Sequence, residues 1–373
     1  MHLEWYEMDA VTQEFAAHWR ALGLAASTPN MYLMPEFMLP AVSYLDVDRA
    51  PRLAALWNAD RSALMALGVF NAVAPSWRFP YARLSTVKSK HSPQSGVLLR
   101  AGIDGEAIDH FLGGLFAASW RAVRMIDLRA DSLVYRQLQE AAQRLGLKWF
   151  VDARYERAGV KLAGDARWRD HVSRGLHKRL QRARARLADL GKVEFRVVQG
   201  PDVTDGTVDA FLRVEAMGWK SASALLATDP ETRFFREVTG ACREPGLVFF
   251  CELLLDGKVV ASSSNFNING VGFAFKIGID PTYARFSPGY LVEYAFLQSS
   301  MQTEHHPHEM ESGAQAGSYI EELWPERIPM VSGHFVAGKF PATYETIKLR
   351  VKSARRSARC LLTFSRGLGV TPA

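Results

Sequence analysis

The sequence is poor in the residues that mark several large protein classes. Only three cysteines occur in 373 residues, and Cys242, Cys251 and Cys360 never fall into a Cys-x-x-Cys spacing. An odd, scattered set argues against a disulfide framework and a cysteine-built zinc site. Three free thiols in a reducing compartment are expected. No run of about 18 apolar residues occurs, so no membrane-spanning helix is expected. The first ten residues carry Glu4, Glu7 and Asp9 and no apolar stretch, unlike a secretory leader; a cytoplasmic location is the expectation. There is no low-complexity tract, no short repeat and no Gly-x-Ser-x-Gly elbow, so a Ser-His-Asp hydrolase has no support. His305, His306 and His308 cluster before Glu309 and Glu311, but without a reliable ligand spacing, and no metal is expected.

What is present describes an ordinary globular chain: 48% hydrophobic, 23% charged and 11% aromatic residues. Its length exceeds one ordinary core and favours about two domains. Lysine and arginine outnumber aspartate and glutamate by 45 to 39, for a net charge of +6. This moderate basic bias fits an anionic ligand such as a phosphorylated cofactor, and equally RNA or an anionic membrane surface.

Periodicity gives an order of elements. Helical spacing covers 11–24 and 31–45, and paired strands are expected at 53–57 and 63–72 around the turn Asn58-Ala59-Asp60-Arg61. The stretch 74–96 is rich in Pro, Ser and Lys and reads as irregular. Helices at 103–118 and 131–145 enclose a buried strand at 122–128, and a short strand follows at 149–154. Two glycines break the pattern at 158–165, which divides the chain into 1–160 and 161–373. The second part opens with one long helix, 168–190, whose Val172, Leu176, Leu180, Ala183, Leu187 and Leu190 form an apolar stripe. A strand at 193–198 and helices at 205–217 and 231–243 follow. The clearest signal is a meander of three strands, 247–255, 258–267 and 271–279, joined by Asp256-Gly257 and Asn269-Gly270. These pairs supply the positive φ angles of two-residue hairpin turns. A loop then leads to a helix from Pro288, a residue suited to a first helical turn.

The start of that helix is the main candidate ligand site. Its first amides have no intrahelical partner and the dipole favours an anion there. The loop reads Tyr283-Ala284-Arg285-Phe286-Ser287-Pro288-Gly289-Tyr290. Arg285 can add a cationic fork, Ser287 can cap the helix, and Gly289 lets a ligand approach the backbone. A capped helix with a solvated arginine is the alternative. On the opening helix Arg174, Lys178, Arg182 and Arg186 step by four and share one face. That row can hold an anionic ligand or RNA backbone, or be a solvated face. The tail places Lys352, Arg355, Arg356 and Arg359 beside Leu361, Leu362 and Phe364, as in a basic amphipathic helix that touches anionic lipid, or a surface helix packed on its lobe.

The order of pieces from Ser173 to Trp324 resembles the GNAT (Gcn5-related N-acetyltransferase) proteins associated with cellulose and exopolysaccharide synthesis, and more remotely the Fem-type peptidyltransferases. The matching pieces are Ser173-Arg174 with Lys178-Arg179 and Arg182, then Glu215-Ala-Met-Gly218-Trp219-Lys220 and Phe234-Phe235. Phe275-Lys276-Ile277-Gly278-Ile279-Asp280, Tyr283-Ala-Arg285-Phe-Ser287-Pro288-Gly289, and Glu311-Ser-Gly313 with Tyr319 and Trp324 complete them. Two departures stand out. The family's glycine-rich phosphate loop is replaced by Tyr-Ala-Arg-Phe-Ser-Pro-Gly. Glu311 stands where aspartate is usual, and Ile320, not lysine, follows Tyr319.

The resemblance implies an α/β (α+β) fold of two GNAT-like lobes, each a mixed, mostly antiparallel sheet flanked by helices, the first degenerate. It implies an acyl donor, acetyl-CoA or another acyl-CoA, or else an aminoacyl-tRNA. Tyr283, Arg285, Ser287, Pro288, Gly289 and Tyr290 become donor-binding candidates. Glu215 and Glu311 are candidate bases, and Lys220, Lys276 and Asp280 further catalytic candidates; each can instead be an ion-pair partner. Trp219, Arg174, Lys178 and Tyr319 are candidates for the acceptor side. Three functions remain open: an N- or O-acyltransferase acting on a sugar, polysaccharide or cell-envelope precursor, a Fem-type transferase using charged tRNA, and a degenerate scaffold in a polysaccharide synthesis complex. No long coiled-coil insertion of the Fem kind is visible.

Overall fold

A computed structural model describes residues 1–45, 50–77, 79–117, 119–163, 167–218, 224–299 and 307–350. The elements of the first part are β1 (His2–Glu7), α1 (Gln13–Leu24), α2 (Pro35–Tyr44), β2 (Arg52–Trp57), β3 (Leu64–Val73), β4 (Arg83–Thr86), β5 (Val97–Leu99), α3 (Gly105–Gly114), β6 (Ala122–Arg129) and α4 (Leu133–Arg144). After β7 (Lys148–Lys161) come α5 (Trp168–His171), α6 (Arg174–Ala188), β8 (Val193–Gln199), α7 (Asp205–Ala216) and α8 (Asp229–Arg243). The meander β9 (Val248–Leu255), β10 (Lys258–Ile268) and β11 (Val271–Ile279) leads to α9 (Pro288–Ser299), β12 (Glu309–Glu311) and β13 (Glu326–Val336).

The described strands join in one 13-stranded sheet, ordered β1-β2-β3-β4-β6-β13-β7-β12-β11-β10-β9-β8, with β5 on β3. This mixed sheet flanked by helices is the α/β fold expected from the sequence. Apolar residues face both sides. Phe249, Cys251, Leu253 and Leu255 of β9 pack under α6 and α9, whereas Val248 and Phe250 pack under α7 and α8. That alternation is the pleat of a strand covered on both faces. The first part is layered the same way, with α3 and α4 on one face and α1 on the other. α2 reaches across to the second part, where Phe37 meets Phe234 edge-on at 5.3 Å.

Four sequence expectations need adjustment. The helix expected over 168–190 is broken at Val172–Ser173. Ser173 is extended, and its hydroxyl accepts the Leu176 amide at 3.1 Å, restarting the helix as α6. The irregular stretch 74–96 holds β4, too short to show a period. The strand expected over 149–154 runs on to Lys161, because 155–161 finds partners in β13 and β12. Finally β13, assigned to no element from the sequence, lies between β6 and β7 at the middle of the sheet. The expected division at 160 therefore falls near the end of a strand that both parts of the chain complete.

Both expected hairpin turns are present. Asp256 and Gly257 have φ of 49° and 78°, and Asn269 and Gly270 have 51° and 80°, the left-handed pair that the strand twist demands.

Candidate active site

β11 and β12 pair in parallel only at Val271–Glu309, Gly272–Met310 and Phe273–Glu311. Beyond that the chain after β12 turns away at Gly313, whose φ is 61°, and the two segments diverge. The opening is a cleft of about 890 Å³. β11 supplies Ile277, Gly278 and Ile279, α9 supplies Pro288, Gly289 and Tyr290, and the 313–319 loop forms the opposite wall.

The first turn of α9 faces this cleft. The Leu291 amide donates to the Ser287 carbonyl at 3.1 Å, while those of Gly289 and Tyr290 have no backbone acceptor among the described residues. Pro288 has no amide to satisfy. Ser287 sits at φ 52°, not the extended conformation from which a hydroxyl normally caps a helix. Ala284 joins Ser287 in the lining. Arg285 is exposed, with its guanidinium 4.7 Å from the Phe286 ring. Tyr283 packs against the apolar layer under α6 and α9. Of the six donor-binding candidates, Ser287, Pro288, Gly289 and Tyr290 thus line the cleft, and Tyr283 and Arg285 are not among the residues lining it.

Glu215 is held at the end of α7 against β11. A Cβ on Gly278 would lie 2.4 Å from the Glu215 amide nitrogen and 2.5 Å from its Cα, so only glycine permits this approach. One Glu215 oxygen accepts the Leu225 amide at 2.8 Å, and the other lies 3.4 Å from Lys276 Nζ. Both expected residues are brought together, but as an ion pair. Trp219 and Lys220 lie outside the described residues. Asp280 does not join them: it accepts the Thr282 amide at 3.0 Å and pairs with Lys258 at 3.3 Å, which starts the 3-10 turn before α9. Glu311 is buried where the two parts of the chain meet, 3.0 Å from Arg157 and bonded to Gln94. Burial pushes its carboxyl up and Arg157 pulls it back only in part.

A smaller cavity of about 250 Å³ shares Glu215, Ile277, Gly313, Ala314, Ser318 and Tyr319 with the cleft. Its polar lining adds Ser263, Asn265 and Glu293. Tyr319 packs edge-on to Tyr290 at 5.0 Å. Glu293, in the second turn of α9, was not singled out from the sequence. It is 6% exposed; burial pushes its carboxyl up to about 7, with only the Ser263 hydroxyl pulling the other way. A signal was available: Glu293 is the one charge within Leu291-Val-Glu-Tyr-Ala-Phe-Leu297.

Arg174 and Lys178 lie elsewhere. They are exposed on α6 and border a cavity of about 590 Å³ with Trp168, His177 and Tyr294, which shares no lining residue with the cleft. Among the described residues no group of three or more His, Cys, Asp or Glu could hold a metal, and no helix is long and apolar enough to cross a membrane. Cys242 and Cys251 are free and buried; Cys360, His305, His306 and the basic tail lie outside the described residues.

Residues 174–316, which contain α6, the meander, α9 and most of the cleft lining, match the acetyltransferase (GNAT) domain model. That segment is similar to a GNAT acetyltransferase domain. Its fold matches the crystal structure of FemX at a TM-score of 0.56 and 10% identity, covering 93% of this chain and 100% of FemX. It also matches the C-terminal domain of a protein described as a lysylphosphatidylglycerol synthetase from Agrobacterium fabrum, at a TM-score of 0.54 and 10% identity over 91% and 95% of the chains. A third match is a Bacteroides thetaiotaomicron protein of unknown function, at 0.52 and 11% over 88% and 98%. At these identities the likeness is one of fold. No curated protein matches the sequence. The likeness of fold to FemX thus extends beyond the family match to nearly the whole chain.

Proposed function

We propose that this protein is an acyltransferase. It takes an acyl group, acetyl in the simplest case, from acyl-CoA and places it on an amine or hydroxyl of a sugar, polysaccharide or cell-envelope precursor. The observation that carries this reading is the first turn of α9, whose Gly289 and Tyr290 amides face the 890 Å³ cleft. Free amides at a helix start suit a diphosphate, and the cleft volume is within the range of small-molecule sites. Beyond Phe273, β11 has no strand partner on its β12 side among the described residues, which leaves an edge on which an extended donor arm can lie.

Acyl transfer from a thioester asks the protein for positioning, a proton acceptor and donors to the oxyanion. Glu215 and Lys276 line the smaller cavity, where the acceptor would meet the thioester. Their ion pair suits them to orientation more than to proton abstraction.

Calorimetry with CoA and acetyl-CoA tests the donor. A Gly289→Phe variant should weaken acetyl-CoA binding at least tenfold, because its ring enters the cleft over the free amides. No binding to the wild type at millimolar concentration refutes the reading.

A second reading, transfer from charged tRNA in the Fem manner, is favoured by one observation. Arg174, Lys178, Arg182 and Arg186 are exposed along α6, and no carboxylate among the described residues pairs with them. Filter binding with charged tRNA over a salt series separates the readings, since phosphate contacts weaken steeply with salt; no binding at low salt rejects it.

A further inference from the structure

We propose that Glu293 is the residue that takes the proton from the acceptor, with the 250 Å³ cavity as the acceptor's pocket. The assignment rests on the acyltransferase reading and names a residue that the sequence pattern did not select.

Four carboxylates were candidates for this task or emerged beside it. Three are already engaged: Glu215 with Lys276 and the Leu225 amide, Glu311 with Arg157 and Gln94, and Asp280 with Lys258 and the Thr282 amide. Among the described residues no lysine or arginine forms an ion pair with Glu293, and the Ser263 hydroxyl is the one group that pulls its carboxyl down. The groups around it come from every side of the cavity. Ser263 and Asn265 stand on β10, Tyr319 on a second 3-10 turn (Tyr319–Glu322), Glu215 at the end of α7 and Lys276 on β11. Cys251 of β9 also feels its charge.

A buried carboxylate without a cation is costly, and a leucine or glutamine would suit the packing better. Such a group beside a cleft is the environment in which a carboxyl serves as a base near neutral pH. Position agrees with this. Glu293 shares its helix with the Pro288–Tyr290 turn, roughly 1.5 Å per residue along the axis. The carboxylate is therefore held rigidly with respect to a diphosphate bound at that turn, and it faces the cavity that adjoins the cleft.

The step balances without a co-reactant. The lone pair of the acceptor nitrogen or oxygen attacks the thioester carbonyl carbon, and the acceptor proton passes to Glu293. The tetrahedral centre collapses, the carbon–sulfur bond breaks, and CoA leaves as thiolate. The thiolate then takes a proton from Glu293 through solvent, which yields CoA and restores the carboxylate.

The test combines carbon-13 NMR of carboxyl-labelled glutamate with CoA release from acetyl-CoA, using water and glucosamine as probe acceptors. In the wild type one carboxyl should titrate near 7 and vanish in E293Q. E293Q should bind acetyl-CoA as tightly as wild type, release CoA about a hundredfold more slowly, and lose the rise in rate with pH across neutrality. E293D should recover part of both. A Glu293 carboxyl that titrates near its ordinary value of 4.5 overturns the assignment. So do equal rates and pH profiles in wild type and E293Q, zero included, while acetyl-CoA still binds. Failure of the wild type to bind acetyl-CoA strikes the donor reading instead, and the NMR titration still decides on Glu293.

Discussion

Glu311 offers a sharp test, because sequence pattern and tertiary placement assign it different work. The pattern makes it a candidate base. The structure buries it at 2% exposure beside Arg157 at 5%. Arg157 also donates to the Pro93 carbonyl at 2.7 Å and the Tyr155 hydroxyl at 2.8 Å. This cluster joins β7, β12 and the segment before β5. Glu311→Gln keeps the shape but leaves a buried guanidinium without its anion, a loss of about 3–5 kcal/mol. Against a total stability of about 5–15 kcal/mol, that is a large fraction. Arg157→Met should cost a similar amount at neutral pH and less in acid, where the stranded carboxyl is protonated. The double variant Glu311→Leu, Arg157→Met should lose less than the sum of the two single changes, since it strands neither partner. Urea midpoints at constant m-value measure all three. If Glu311→Gln keeps the wild-type midpoint, the reasoning is refuted; lost CoA release with an unchanged midpoint would return Glu311 to the chemistry.

Two further outcomes follow from the packing. His334 is buried 3.4 Å from Asp152 and 3.3 Å from Glu345. Burial pulls its ring down, but the two carboxylates outweigh that and leave it raised above 6.5. Burial pushes both acids up, yet His334 and their other partners hold each at about 2. The histidine's contribution is complete below about 6.5 and fades as pH rises through its folded value. That of the acids is complete above about 4.5 and fades as pH falls towards 2. Urea midpoints against pH should therefore decline on both sides of this window, and His334→Gln should flatten the alkaline side. Gly278→Ala drives a Cβ into the α7 backbone, an overpacking cost of about 1–3 kcal/mol. Gly289→Ala meets only Ile279 and Ile277 at 3.4 and 3.6 Å and should match wild type. Equal midpoints for the two alanine variants would refute the close-approach argument.

Much of the fold was legible locally. Asp256-Gly257 and Asn269-Gly270 fix two hairpins because few residues other than glycine, asparagine and aspartate accept positive φ. The apolar runs they join had to be strands, and Pro288 had to begin a helix. Less of the site was legible. Tyr-Ala-Arg-Phe-Ser-Pro-Gly singled out a turn of which Ser287, Pro288 and Gly289 line the cleft, whereas Tyr283 and Arg285 do not. Lys276 and Asp280, both catalytic candidates, do not come together, because the strand ends at Ile279 and Asp280 starts the next turn.

By itself the sequence determined the order of helices and strands, the meander and its turns, and the helix start beneath the cleft. These depend on φ preferences and apolar periods acting within a few residues. Only the tertiary structure decided which carboxylate is paired and which is not. Glu311 meets Arg157 across 154 residues and Lys276 meets Glu215 across 61, whereas Glu293 meets no cation among the described residues. The protonation of a carboxyl depends on the solvent it loses and the charge it gains, and both are set by segments far away along the chain.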